Sequence, residues 1–391
     1  MIWACKSKSL SSKKIAVVGT RGFPGVQGGV ETHCENLYPL LVNSGYNITV
    51  FTRRPYVNPE LTVYRGVRLI PIGCPRNKYL ETIVHTFLSV LAARRMGVDL
   101  IHFHAIGPAL FVPLARLFGM KSVVRHVGRD YDRAKWGLLA RTALKLGEYC
   151  SSKADTVICI STDIEEKLSE GYKPCRLCMI PNGVPQPCFL ESQKVLDQHG
   201  LEQGKFILAV GRLVPEKGLD VLVDAFERLE RPPGWKLAIA GTDPYASHYS
   251  RKLNERIHTL YGVVAMGELD RLELAELYSH ASVFCLPSSH EGLSFSLLEA
   301  LSYGLPCVVS DIPANKTVPL SERCYFHAKN RNDLVQQLTS QIYLQQHPEH
   351  RRKLSTRTIA KYNWQVVASQ TEEVYETIFA RNAASLDKQR Y

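Results

Sequence analysis

The sequence lacks an uncharged apolar run of about 18 residues, the length that a membrane-spanning helix requires. Its first fourteen residues contain lysines and serines but neither an apolar core nor a small-residue cleavage site, so they predict a mobile tail and no signal peptide. We therefore expect a cytoplasmic protein that does not cross a membrane. Peripheral attachment to the inner face of the cell membrane stays open.

The sequence also has few signs of a metal site. Its 11 cysteines are scattered, several of them within apolar strings where a free thiol packs as a small hydrophobe, and we expect them to be reduced. Cys175 and Cys178 have the C-x-x-C spacing, but no second such pair and no matched histidine pair follows. We predict no metal ligands.

Positive charge is abundant. The formal net charge is +11, which favours polyanionic partners such as nucleic acid, anionic lipid or phosphorylated substrates. Residues 116–145 are locally cationic and include Tyr131 and Trp136. This pattern is typical of a surface that contacts anionic headgroups, and an ordinary solvated helix face fits it as well.

The length of 391 residues predicts two domains. Buried-type strands alternate with helices through the first 180 residues, lose their periodicity over 181–204 and resume at Phe206, which predicts an α/β protein with two doubly wound, Rossmann-like domains. We place the domains at 13–185 and 186–360. Residues 361–391 form an amphipathic helix and tail that we expect to pack on the first domain.

The stretch Ser288–Leu301 is the strongest candidate for a binding site. It follows an apolar strand and opens a helix, so Glu291 lies in the loop and Glu299 about two turns later. The amides of Leu293, Ser294 and Phe295 are then unpaired donors that suit a diphosphate, and the second carboxylate suits ribose hydroxyls. The alternative is an ordinary turn in which Glu291 caps the helix and Glu299 faces water.

A second loop, Gly211–Gly218, follows the first strand of the second domain. Arg212 and Lys217 would stand at the carboxyl ends of the strands, on the edge that carries Glu291 and where open α/β sheets bind ligands. Two cations at this place would stabilise a departing diphosphate.

The first domain begins with a glycine-rich loop that ends in Gly28 and Gly29, just before a helix. Its spacing does not match the G-x-G-x-x-G pattern of nicotinamide enzymes. His126 ends another strand and could contact a sugar hydroxyl or bond to backbone. Asp130 and Asp132 have a D-x-D spacing, which we interpret as helix capping in preference to metal binding.

These motifs together resemble the retaining glycosyltransferases of family four, which have the GT-B fold. The resemblance rests on Gly211-Arg212 with Glu216-Lys217-Gly218, on Glu291 and Glu299 eight residues apart within His290-Glu291-Gly292-Leu293, and on Gly28-Gly29. The first-domain strings are similar to bacterial rhamnosyltransferase-like enzymes of capsule or exopolysaccharide synthesis. The segment from His126 to Tyr131 departs from the usual His-Gly-Leu-Asp-Trp string.

The resemblance implies a role for each matching residue. Arg212 and Lys217 would hold the donor diphosphate, and Glu299 the ribose. Glu291 and the segment Gly292–Phe295 would bind the donor sugar and phosphate.

In the first domain, the resemblance implies that Gly28 and Gly29 close onto the phosphates and that His126 contacts the transferring sugar or the acceptor. The donor would be a nucleoside-diphosphate sugar, used without a metal, and the acceptor a saccharide, for which we favour a lipid-linked form. No nucleic-acid partner is expected. The alternatives are a nucleoside-diphosphate-sugar epimerase of the same fold and a non-catalytic binder of sugar nucleotides or nucleic acid.

Overall fold

The computed structural model describes residues 13–77, 80–132, 137–174, 176–243, 245–344 and 348–387. The chain forms two compact units, one of Met1–Pro181 with Trp364–Tyr391 and one of Asn182–Asn363. The sequence predicts these divisions at 185/186 and 360/361.

The first unit is built on a sheet whose strands carry the apolar runs of the sequence, such as Ile15, Ala16, Val17 and Val18, all fully buried. The strand order is β3-β4-β2-β1-β5-β6-β7-β8, and every pair is parallel except the β3–β4 hairpin. The strands are β1 (Lys14–Val18), β2 (Asn47–Arg53), β3 (Val63–Tyr64), β4 (Val67–Ile72), β5 (Leu100–His104), β6 (Lys121–His126), β7 (Thr156–Cys159) and β8 (Leu177–Met179).

Helices join these strands, as parallel pairing requires. They are α1 (Gly29–Asn43), α2 (Leu80–Arg95), α3 (Ile106–Ala109), α4 (Val112–Leu117), α5 (Leu138–Ser151) and α6 (Thr162–Gly171). Helix α1 follows the glycine-rich loop, and it buries Cys34, Leu37 and Leu41.

The second unit has its own sheet, in which every strand pair is parallel. The strand order is β11-β10-β9-β12-β13-β14. The strands are β9 (Phe206–Val210), β10 (Lys236–Ala240), β11 (Val263–Gly267), β12 (Val283–Leu286), β13 (Cys307–Ser310) and β14 (Tyr325–Phe326). The chain runs outward from β9 in one direction and returns to its other side at β12, so the carboxyl ends of β9 and β12 flank the position where α/β sheets bind ligands.

The helices of the second unit cover this sheet. They are α7 (Lys194–His199), α8 (Leu219–Arg228), α9 (His248–Thr259), α10 (Arg271–His280), α11 (Phe295–Ser302), α12 (Pro313–Lys316), α13 (Arg331–Tyr343) and α14 (Pro348–Tyr362). Leu222 and Phe226 of α8 pack into a buried cluster with strand residues such as Ile207 and Leu237.

The predicted loss of regular structure over 181–204 is wrong in part, because α7 lies there within the second unit. The amides of Val195 and Leu196 in its first turn donate to the buried carboxylate of Glu276 at 2.5 and 3.2 Å. A residue 80 positions away thus caps this short helix, and local periodicity carries no trace of such a partner.

The last helix, α15 (Trp364–Asp387), belongs to the first unit and packs on α1. A buried histidine cluster, His33, His102 and His104 with Tyr38 and Tyr375, joins α1, β5 and α15. The Tyr375 hydroxyl lies 2.7 Å from His102 Nδ1, and the Tyr38 hydroxyl lies 3.2 Å from the same atom and 2.5 Å from His104 Nε2. These polar contacts attach the last helix to the sheet.

Within the described residues, no helix is both long and apolar enough to span a membrane. The nine cysteines that the structure describes are all free thiols, and the same part of the chain holds no cluster of three or more metal-ligating side chains. Cys178 lies in β8, whereas Cys175 falls outside the described residues.

Candidate active site

The loop after β9 is pressed against the end of β12. Pro215–Lys217 form a 3₁₀ turn, and Gly218 follows with φ 63°. A Cβ at Gly218 would lie 2.3 Å from the carbonyl oxygen of Pro287, so only glycine fits this approach. The amide of Ser289 donates to the Glu216 carbonyl at 2.8 Å and ties the two loops together.

This packing brings two of the predicted site residues into contact. Lys217 Nζ lies 2.6 Å from Glu291 Oε1, which also accepts a hydrogen bond from Ser288 Oγ at 2.7 Å. The two side chains are 19% and 10% exposed. The aliphatic part of Lys217 lies beside Gly211. Glu291 therefore pairs with a cation from the neighbouring loop and caps no helix.

Arg212 stands on the same loop as Lys217 and is exposed. Its guanidinium makes no hydrogen bond or ion pair with any other described residue. The structure therefore does not bring Arg212 to Glu291, and it leaves this cation available to a ligand.

The segment from Gly292 to Phe295 leads from the Glu291 loop into helix α11, and anion binding there stays a prediction. Helix α11 begins at Phe295, and the Ser294 hydroxyl caps it by accepting from the Leu297 amide at 3.4 Å. Among the described residues, none accepts a hydrogen bond from the amides of Gly292, Leu293 or Ser294. Asn182 donates to the Leu293 carbonyl at 2.8 Å and fixes the peptide orientation.

Glu299 lies in the second turn of α11 and is half-buried. Burial raises its pKa to about 7, against the opposing effects of the Tyr278 hydrogen bond and of Arg271. The Tyr278 hydroxyl donates to Glu299 Oε2 at 3.0 Å. This carboxyl therefore accepts a hydrogen bond inside the second unit, and the alternative in which it only faces water does not hold.

Gly28 and Gly29 lie in the first unit, at the amino terminus of α1. Arg21 holds the loop through its backbone amide and its Nε, 2.9 and 3.2 Å from Glu31 Oε1. Gly28 has φ 144°, and a Cβ there would lie 2.0 Å from Glu31 Oε2. The backbone conformation thus requires glycine at this position, and phosphate binding by Gly28 and Gly29 stays a prediction.

His126 ends β6 but is fully buried. Its Nε2 lies 3.1 Å from Glu148 Oε1, and the hydroxyls of Tyr131 and Tyr172 donate to Glu148 Oε2 at 2.9 and 3.3 Å. Among the described residues, His126 Nδ1 has no hydrogen-bond partner. The contact of His126 with sugar or acceptor stays a prediction.

The expected helix cap at Asp130 and Asp132 is wrong. These residues form a 3₁₀ turn, Asp132 pairs with Arg129 at 3.0 Å, and α5 begins only at Leu138. Arg125 lies within the cationic stretch of residues 116–145, but it is not on the surface. It is fully buried and donates to the carbonyls of Ile180 and Pro181 at 3.1 and 3.0 Å.

The structure supplies partners for three of the predicted site residues. Glu148 orients His126, Tyr278 bonds Glu299, and Ser288 bonds Glu291. Ser288 could have been predicted from the sequence, because it lies just after β12 at an edge where α/β sheets bind ligands. Glu148 and Tyr278 lie on helices far along the chain from their partners, so spacing alone could not find them.

Two family models match the chain: "Glycosyltransferase Family 4" over residues 27–186 and "Glycosyl transferases group 1" over residues 192–360. A GDP-mannose-dependent alpha-(1-6)-phosphatidylinositol monomannoside mannosyltransferase of Mycolicibacterium smegmatis is 27% identical over 317 residues, which is 74% of this chain and 78% of that one.

Two solved structures show the same fold. A sucrose-phosphate synthase from Thermosynechococcus elongatus superposes with a TM-score of 0.81 at 23% identity, covering 94% of this chain and 100% of that chain. Anabaena HepE in complex with UDP and glucose superposes with a TM-score of 0.74 at 16% identity, covering 93% and 99%.

Proposed function

Because this chain is a GT-B glycosyltransferase, with a Family 4 and a group 1 domain, we propose that it moves a hexosyl or deoxyhexosyl group from a nucleoside-diphosphate sugar to a saccharide, with retention at the anomeric carbon. Rhamnosyl is one such group. The observation that carries the proposal is the Lys217–Glu291 pair at the switch point of the second sheet, beside the unpaired amides of Gly292–Ser294.

Each of these groups has a place in the transfer. The amides and Arg212 bind the donor diphosphate, and Lys217 moves from Glu291 to the phosphate next to the sugar. As the bond from sugar to phosphate breaks, negative charge grows on the leaving diphosphate, and these cations stabilise it. Glu291, released from Lys217, accepts from the donor sugar hydroxyls.

Retention follows if acceptor attack and leaving-group departure occur on the same face of the sugar. In this scheme the leaving phosphate takes the proton of the acceptor hydroxyl. Arg212 and Lys217 supply the positive charge that a divalent ion would otherwise supply, so we propose that transfer does not require a metal.

The proposed acceptor is a lipid-linked saccharide of surface polysaccharide synthesis, reached at the inner face of the cell membrane. Two surface features of the first unit support it. Helix α5 exposes Leu138 and Leu139 by 81% and 89%, and α2 exposes Leu80, Ile83 and Phe87 by 51%, 40% and 41%. Both helices pack on α3, and α5 carries the basic residues Arg141 and Lys145 on the same helix as Leu138 and Leu139. The mannosyltransferase relative carries a phosphatidylinositol acceptor in its name.

A donor panel tests the proposal, with release of free nucleoside diphosphate and sugar transfer measured in the presence and absence of acceptor. We expect Lys217→Ala to lower the turnover rate about 100-fold or more, because it removes a charge that contacts the leaving group. Lys205→Ala is the matched control, since Lys205 is an exposed lysine of the same unit that pairs with Glu202. Unchanged turnover in Lys217→Ala would contradict the assignment, and product formed from the donor without any acceptor would indicate an epimerase.

A further inference from the structure

A cavity of about 570 Å³ lies in the first unit, and none of the residues assigned to the donor is among those that line it. Its lining includes three cations, Arg129, Arg141 and Lys145, and two aromatic rings, Tyr131 and Tyr172. A volume of this size is that of a site for a small ligand.

Helix α5 aims several of the lining residues into the cavity. Arg141, Lys145 and Glu148 follow one another at spacings of four and three residues, which places them on one face of a helix. Glu148 also binds His126, so the cavity adjoins the residue that we expect to contact the acceptor.

The carboxylates at the cavity are already engaged. Asp132 pairs with Arg129 at 3.0 Å. Glu148 accepts from His126, Tyr131 and Tyr172; burial raises its pKa, but these hydrogen bonds outweigh burial and hold the pKa below its usual value.

The two remaining cations are not engaged in this way. Within the part of the chain that the structure describes, Arg141 and Lys145 have no acidic partner, and Lys145 only lies 5.7 Å from the Tyr131 ring centre. A ligand that fits this charge pattern is an anion.

We propose that this cavity binds the phosphate or pyrophosphate group of the acceptor, an inference that rests on the proposed function. Arg141 offers two parallel donors to phosphate oxygens, and Lys145 offers a point charge one helical turn away. Tyr131 and Tyr172 line the same cavity and supply ring surface beside these cations for the sugar next to the phosphate. A neutral saccharide would use the rings and leave both cations unpaired.

The phosphate can belong to a soluble sugar phosphate or to a lipid carrier, and three acceptors with one sugar separate these sources. They are a short-chain alkyl pyrophosphate ester in solution, a polyprenyl pyrophosphate ester in zwitterionic vesicles, and a neutral alkyl glycoside. We expect Arg141→Gln with Lys145→Gln to raise the KM for both pyrophosphate acceptors about tenfold or more, as for lost charge-assisted hydrogen bonds, and to leave the donor KM unchanged. A response of the vesicle-borne acceptor alone would identify the lipid carrier as the source.

Lys153→Gln is the control, because this exposed lysine follows α5 and does not line the cavity. Calorimetry measures the affinity for the short-chain ester with the donor site saturated by nucleoside diphosphate. This measurement tests the inference without relying on turnover. Equal affinity in wild type and double variant, or equal use of neutral and pyrophosphate acceptors, would overturn it. Absence of both donor binding and nucleotide release would instead refute the proposed function, and calorimetry without nucleotide would then still measure the affinity of wild type and double variant for the short-chain ester.

Discussion

At the scale of single residues, the second-unit site contains a carboxyl whose protonation follows from its surroundings. Glu299 is ionisable near neutral pH because burial raises its pKa to about 7. Since this folded-state pKa lies above the usual value for glutamate, Glu299 lowers the unfolding free energy progressively as the pH rises from the usual glutamate range to about 7. A ribose diol that donates to the carboxylate would favour the ionised form.

Nucleoside diphosphate binding should therefore release a fraction of one proton near pH 7. Calorimetry in buffers of different ionisation enthalpy measures this release directly. We expect the release to disappear in Glu299→Gln and nucleotide affinity to weaken about tenfold, the effect of one lost hydrogen bond to a charged group. Glu273→Gln is the control, because Glu273 caps the amino terminus of α10. A buffer-independent binding enthalpy in the wild type would show that Glu299 does not change its protonation.

At the scale of elements, the histidine cluster explains how α15 is attached to the first unit. Burial and the nearby charge of Arg125 lower the pKa values of its histidines, that of His102 to about 3. Within the described residues, both ring nitrogens of His33 lack hydrogen-bond partners. These surroundings favour the neutral form of all three imidazoles, because a protonated ring would be buried near the charge of Arg125.

Acid should consequently release this contact. A histidine with a depressed folded-state pKa stabilises the protein fully above about pH 6.5, and below it each such group costs roughly 1.4 kcal/mol per pH unit. We expect His33→Phe, which keeps an aromatic ring against Trp364 and His104, to flatten the pH dependence of the unfolding free energy between pH 6 and 5.

Urea denaturation followed at each pH measures this slope. The exposed His258 supplies the control variant, His258→Phe. A slope that His33→Phe and His258→Phe change equally would show that the buried cluster does not govern the acid response.

At the scale of the whole molecule, the alternation of strands and helices predicted two Rossmann-like units, because buried parallel strands have a recognisable composition. The Glu291 loop and the Lys217 loop could be predicted as neighbours, because both follow strands that end at one edge of a sheet. The burial of His126 could not be predicted, because its partner Glu148 lies in another element. Burial at the end of a strand depends on which elements pack there. The same holds for Arg125, whose partners are backbone carbonyls beyond β8.

Charge and exposed apolar residues at this scale predict binding to anionic vesicles at low salt. The net charge of +11 supplies the attraction, and Leu138 and Leu139 supply apolar area. We expect Leu138→Ser with Leu139→Ser to lower the partition coefficient about tenfold or more in a co-sedimentation assay. Leu272→Ser, an equally polar change at an exposed leucine of the second unit, should leave it unchanged. A protein that remains in the supernatant at every salt concentration would contradict the membrane part of the proposal.

The route of the chain also sets an order of events during synthesis. Tyr375 and Trp364 of α15 complete the packing of the first unit. The two ends of the second unit are joined without α15, because the amide of Val184 donates to the carbonyl of Tyr362 at 2.7 Å. At roughly 5–20 residues per second, about ten seconds or more pass on the ribosome between β8 and α15. The amino-terminal unit is therefore the last to be completed, and until α15 emerges His102 lacks the Tyr375 hydroxyl.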